Sequence, residues 1–196
     1  SVIREIKKGS FDFVLIEGNP NYVWKIAKET GLDVFLHIHT DHVLDETTHS
    51  YQDIIRSTKG IICVSKYIEK QLSGLHGMDK NKLSVCLNCT DQTVFNLENR
   101  AKYRNLMRKR LGYKDQDVVF VFIGRVVEMK GVNELVEAFD RCNVENKKLL
   151  IVGGNSFADS SETEFLRYLK SKADKSQGKI RLMGFVNKSE LPRYYA

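Results

Sequence analysis

No apolar run in the sequence approaches the length of a bilayer span, which excludes a chain built from membrane-crossing helices over these residues. The opening stretch, SVIREIKKGSFDF, lacks the apolar centre of a secretory signal peptide. Cysteine is scarce. Cys63, Cys86, Cys89 and Cys142 are too few to read as a disulfide framework in a chain of 196 residues, so a reducing, cytoplasmic setting is expected. Simple repeats and low-complexity tracts are also missing, which leaves no signature of a solenoid or a disordered array. What remains is globular in composition, with 42% hydrophobic and 29% charged residues. The formal charge of +6 and a pI near 9.1 allow an anionic partner: a nucleotide, a membrane surface or a nucleic acid. That charge is densest at Arg100, Lys102, Arg104, Arg108, Lys109, Arg110 and Lys114, and reads first as a solvated helix face.

Strand and helix signals alternate along the chain. Phe11–Gly18 reads as a strand, Asn21–Thr30 as a helix stopped by Gly31, and Asp33–His39 as a second strand. A polar loop leads to a helix through Tyr51 and Ile55. Gly60–Val64 is a third strand, Ser65 is placed to cap a helix over Lys66–Leu72, and Lys82–Leu87 is a fourth strand. Such alternation predicts parallel sheets with right-handed crossovers, hence an α/β fold. The polar, irregular stretch NCTDQTVFNLEN interrupts the alternation, and a basic helix, Arg100–Leu111, follows it. A domain boundary is therefore expected near Leu97, dividing the chain into residues 1–97 and 98–196.

The second part is organised around VVFVFIGRVVEMKG. Val118–Ile123 is a continuous apolar run, short enough for a strand buried on both faces. It stops at Gly124-Arg125, and Lys130-Gly131 opens a helix whose Val132, Leu135, Val136 and Phe139 share one face. Ligands of open α/β sheets sit at the carboxyl ends of strands, and helix N-termini attract anions. Arg125 and Lys130 in that position point to an anion such as a diphosphate, the guanidinium gripping as a fork and the ammonium acting as a point charge. Gly131 would let the backbone approach closely. Further strands are expected at Leu149–Val152, which ends in Gly153-Gly154, and at Ile180–Val186. Ser161 with Glu164 has capping-box spacing before a helix on Phe165, Leu166 and Leu169, and Asn187 or Ser189 is placed to cap a last helix near Pro192.

Two other clusters carry chemistry on their face. HIHTDH, with His37, His39, Asp41 and His42, has metal-ligand spacing, because imidazoles two apart on an extended chain point the same way. It resembles the signature of metallo-β-lactamase-like hydrolases and sets up the alternative of a metal-dependent hydrolase. Those hydrolases need further ligands, for which only His49 and His76 remain, and a sandwich fold that the alternation does not match. Cys86-x-x-Cys89 has redox or zinc-knuckle spacing but no second pair, and its first member is expected inside a strand; the cysteines read as core and loop thiols.

The order of motifs is more telling than any single one. VFIGRVVEMKGVNELVEAF, then LLIVGG, then IRLMGFVNKSELPRYYA resembles the C-terminal, donor-binding domain of the family 4 (group 1) glycosyltransferases with the glycosyltransferase-B fold. ICVSKYIEKQL resembles that family's strand-V-S-helix, and NCTDQTVF its N-G-V-D-x-x-x-F junction, with Cys89 and Thr90 replacing Gly and Val. EGNPNYVWKI and LHIHTDH are similar to bacterial capsule and exopolysaccharide transferases.

The resemblance implies two Rossmann-like domains, an acceptor-side domain over 1–97 and a donor-binding domain over 98–196, both incomplete. It implies a retaining, metal-independent transfer from a nucleotide-diphosphate sugar to a glycan or lipid-linked acceptor in polysaccharide biosynthesis. By the same resemblance Arg125 and Lys130 hold the diphosphate and stabilise leaving-group charge, and Gly124, Gly131, Gly153 and Gly154 line the nucleotide site. His39 faces the transferred sugar, with His37 the runner-up and Asp41 on the same side. No cofactor, bound metal or nucleic acid is implied. Localisation is expected to be cytoplasmic, at the inner face of the membrane if Arg100–Arg110 meets anionic lipid. The family's E-x7-E motif has no counterpart here, so the sequence reads as a fragment that is inactive by itself; the remaining alternative is a non-catalytic remnant.

Overall fold

A computed structural model describes residues 2–155 and 163–196. The chain forms two compact units, Ser1–Cys89 and Thr90–Ala196. The division falls ahead of the boundary expected near Leu97. The reason is local: Asp91 accepts from the Thr93 backbone and hydroxyl, Asn96 caps the basic helix by accepting from the Asn99 N–H, and Phe95 meets Tyr195 edge to face at 5.6 Å. The polar stretch after Cys89 is thus part of the second unit.

The first unit is a four-stranded parallel sheet in the order β1-β2-β3-β4, formed by β1 (Phe13–Glu17), β2 (Asp33–Ile38), β3 (Thr58–Cys63) and β4 (Leu83–Val85). Between them run α2 (Val23–Thr30), α3 (Tyr51–Ser57) and α4 (Lys66–Ser73), preceded by a short α1 (Val2–Lys8) that the sequence pattern does not announce. Period-two alternation sends Val34, Leu36, Ile38, Ile61 and Cys63 to one face, where they pack with Val23, Ile26, Ile54 and Leu72 from the helices. Each fully buried aliphatic side chain contributes roughly 1.5–3 kcal/mol. The alternate positions of β1 and β2 face the other way, and there Phe13 and Phe35 meet edge to face at 5.7 Å. Ser65 caps α4 as expected, accepting from the Ile68 N–H at 3.2 Å.

Two expectations shift here. The helix expected from Asn21 begins at Val23, because Pro20–Tyr22 forms a 3-10 turn capped by Asn19. The fourth strand is shorter than Lys82–Leu87, so Cys86 lies beyond β4 and is exposed, as is Cys89.

The second unit is a three-stranded parallel sheet, β5 (Val118–Ile123), β6 (Lys147–Val152) and β7 (Ile180–Gly184), with α5 (Leu97–Leu111), α6 (Val132–Arg141), α7 (Glu164–Lys175) and α8 (Leu191–Tyr194). The strand buried on both faces is β6, not β5. Leu149 and Ile151 pack with Val132, Val136, Phe139 and Leu169, while Leu150 and Val152 pack with Met107, Leu111 and Tyr113. β5 is an edge strand in the order β5-β6-β7, and Val118 and Val121 stay more than 40% exposed, at 43% and 42%. α7 is capped by Thr163, which accepts from the Leu166 N–H at 3.2 Å; the capping residue expected from sequence, Ser161, lies outside the described residues. Asn187 caps the 3-10 turn before α8, and Pro192 sits in the first turn of that helix.

Candidate functional site

The carboxyl ends of β5, β6 and β7 are laced together by backbone hydrogen bonds. The Gly124 N–H donates to Val152, Val126 to Gly154 and Gly153 to Gly184. This lacing makes one rim of three strand ends. The tight approach resides at Gly153, whose φ of +142° and position would put a Cβ 1.8 Å from the Gly124 carbonyl oxygen. Gly124 itself would tolerate a side chain at an ordinary 3.4 Å from Phe122, so the close approach is set by the opposite strand.

Above this rim opens a cavity of about 330 Å³. Arg125 and Lys130 line it together with Gly124, Gly153 and Gly154. Its remaining wall is apolar: Ile123, Val152, Phe185, Val186 and Leu191, with Phe185 62% exposed. The Arg125 and Lys130 side chains are exposed and form no ion pair or hydrogen bond among the described residues. Gly131 is left-handed at φ +68°, ends the 3-10 turn over Glu128–Lys130 and starts α6, whose N-terminus has no side-chain cap. An open, half-apolar cavity with two cations unpartnered among the described residues and uncapped helix N–H groups beside it is suited to an anion attached to a flat or apolar group.

The first unit carries a second cluster. Glu17 ends β1 and is the register partner of His37 on β2. One carboxylate oxygen, Oε2, accepts from His37 Nδ1 at 3.0 Å and from His39 Nε2 at 2.9 Å. The two imidazoles lie 4.4 Å apart, on one side of the strand as their spacing requires. The His39 bond, then the His37 bond, hold the Glu17 carboxyl below its ordinary range against a small opposing desolvation. His37 Nε2 is buried without a partner. Asp41 and His42 do not join this cluster. Asp41 accepts from the Tyr67 hydroxyl at 2.8 Å and pairs with His42, which lowers the Asp41 carboxyl, chiefly through Tyr67. The HIHTDH run is thus split between two sets of partners, and the ligand set expected of the hydrolase alternative is not assembled. Glu17 was missed by sequence reasoning; the available signal was that two neighbouring strands end in Glu and His at matching positions.

The glycosyl transferases group 1 family matches residues 104–196, which contain the whole cavity described above. Over these residues the second unit is similar to the group 1 glycosyltransferases. Across its full length the chain is 25% identical to spore coat protein SA of Bacillus subtilis and 22% identical to the putative glycosyltransferase YtcC of the same organism. It covers 54% and 50% of those proteins, so it spans about half the length of the curated relatives it matches. Among solved structures, Anabaena Alr3699/HepE in complex with UDP superposes with a TM-score of 0.72 at 14% identity, covering 98% of this chain and 53% of that one. The same protein with UDP-glucose gives 0.71. The fold is α/β of the glycosyltransferase-B type, with a Rossmann-like parallel sheet in each unit. No helix among the described residues is long and apolar enough to cross a membrane.

Proposed function

We propose that the protein transfers a sugar from a nucleotide-diphosphate sugar to a glycan or lipid-linked acceptor, with retention at the anomeric carbon and without a metal ion in the chemistry. The observation that carries this reading is the pair of cations, Arg125 and Lys130, without partners among the described residues and lining one cavity with Gly153-Gly154 beside the uncapped start of α6. The guanidinium and ammonium would neutralise the diphosphate as it leaves, a preorganised electrostatic role that a divalent ion fills in other enzymes. Gly124, Gly153 and Gly154, which line the cavity, let the backbone approach the phosphates, Gly131 opens α6 next to Lys130, and the apolar wall ending in Phe185 receives the nucleoside. The structural relative solved with UDP and with UDP-glucose supports a donor of this class. His39 is proposed to take part in the transfer step, with His37 and Asp41 on the sugar side. The first unit, Ser1–Cys89, supplies the acceptor side and the second, Thr90–Ala196, the donor side in this reading.

Transfer by the full-length enzyme from a panel of nucleotide sugars, run in excess EDTA and followed by NMR of the product anomer, tests the proposal. Turnover in EDTA with the donor's anomeric configuration is expected; an inverted product or abolition by EDTA overturns it.

A contact with anionic lipid through Arg100–Arg110 is part of the same proposal, at about 1 kcal/mol per cation near the surface. Arg108 is less available than its neighbours, since its guanidinium donates to the Lys114 and Asp117 carbonyls. Liposome sedimentation should rise with anionic lipid content; binding indifferent to it would remove this contact.

A further inference from the structure

We infer that Glu17, His37 and His39 form a binding site for a first-row transition dication of the Zn²⁺ class. The site is built from His37 and His39, which the proposed function places on the sugar side, so a bound ion would occupy those imidazoles; it needs nothing from the donor cavity, and its test reads metal binding rather than turnover. Its donor set is one carboxylate and two imidazoles, whose ligand atoms all lie within 4.8 Å of one another. A zinc ion binds imidazole nitrogen and carboxylate oxygen at roughly 2.0–2.2 Å, which at a tetrahedral angle places adjacent donors roughly 3.3–3.6 Å apart. Glu17 Oε2 already stands 3.0 Å from His37 Nδ1 and 2.9 Å from His39 Nε2. Ligation therefore asks the two carboxylate–imidazole pairs to open by a few tenths of an ångström and the two imidazole nitrogens, which lie within 4.8 Å, to turn toward the ion.

The backbone explains the preorganisation. Parallel pairing sets Glu17 opposite His37, and strand alternation sets His39 on the same side as His37. The Glu17 and His39 side chains are 59% and 46% exposed, so an ion can enter and water can complete its coordination. Two imidazoles select zinc, cobalt, nickel or copper over magnesium or calcium, which prefer oxygen. One feature limits affinity: ligation through Nδ1 moves the His37 ring proton to Nε2, which is buried and has no acceptor. Micromolar rather than nanomolar binding follows. Cys86 and Cys89, both exposed, are the competing thiolate ligands that the test must separate.

Titration of the metal-stripped full chain with ZnCl₂ by calorimetry, and with CoCl₂ by absorption, decides the matter. One micromolar site is expected, with cobalt ligand-field bands but no thiolate charge-transfer band. Glu17→Gln, His37→Ala and His39→Ala should each weaken binding about tenfold or more. Cys86→Ser/Cys89→Ser and His42→Ala should leave it unchanged. Should His37→Ala unfold, the other two substitutions, at open positions, carry the test. Unchanged affinity in Glu17→Gln and His39→Ala, or loss of the site in the cysteine double variant, would overturn the assignment.

Discussion

The carbonyl oxygen of Gly124 stands where a side chain on Gly153 would begin: a Cβ there would lie 1.8 Å away. Because φ at Gly153 is +142°, any other residue is strained as well as crowded. Gly153→Ala is expected to destabilise the second unit by about 2 kcal/mol or more, through strain and overpacking together. Gly124→Ala meets only ordinary contacts and should cost less than about 1 kcal/mol. Urea unfolding of the two variants checks the contrast, and equal costs would refute it.

Cysteine reactivity should follow burial. Cys63 is buried in the first core, and desolvation, helped by the charge of Glu69, pushes its thiol up to about 11. Cys86 and Cys89 are exposed. Alkylation of the native protein should label those two first and Cys63 only on unfolding. The raised thiol also gives a sign for stability: the unfolded thiol ionises near its ordinary 9.0 while the folded one stays neutral to about 11, so this stabilisation is complete below pH ~9 and is lost as pH rises toward ~11. Cys63→Ala should flatten that alkaline slope.

The Glu17 carboxyl gives the opposite sign. Its folded value is lowered, so its contribution is present above the ordinary carboxylate range and lost as pH falls through the depressed value. Following the Glu17 carboxyl carbon by NMR titration, we expect His39→Ala and His37→Ala each to raise the midpoint, since each removes a hydrogen bond to the carboxylate. An unchanged midpoint in both variants would contradict the geometry.

Much of the fold was legible because strands and helices write different periods. Val132, Leu135, Val136 and Phe139 announced a helix face that is buried or half-buried, and Ser65 announced its cap. What was not legible depends on neighbours distant in sequence. An apolar run says that Val118–Ile123 is a strand, but only the order β5-β6-β7 makes it an edge. Arg125, Lys130, Gly153 and Gly154 were readable because each ends or begins an element, and the cavity collects them. Glu17 was not, because its tie to His37 and His39 exists only through strand register. The HIHTDH spacing gave the side of the strand correctly for His37 and His39, yet could not show that Tyr67 engages Asp41.

Calorimetric binding of UDP, with ADP, GDP and CDP in parallel, to full-length protein carrying Arg125→Ala or Lys130→Ala tests the central claim most directly. Each lost charged hydrogen-bonding partner is worth about 1.5–3 kcal/mol, so each substitution should weaken the preferred nucleotide by roughly tenfold or more. Full affinity retained in both variants would contradict the diphosphate cradle.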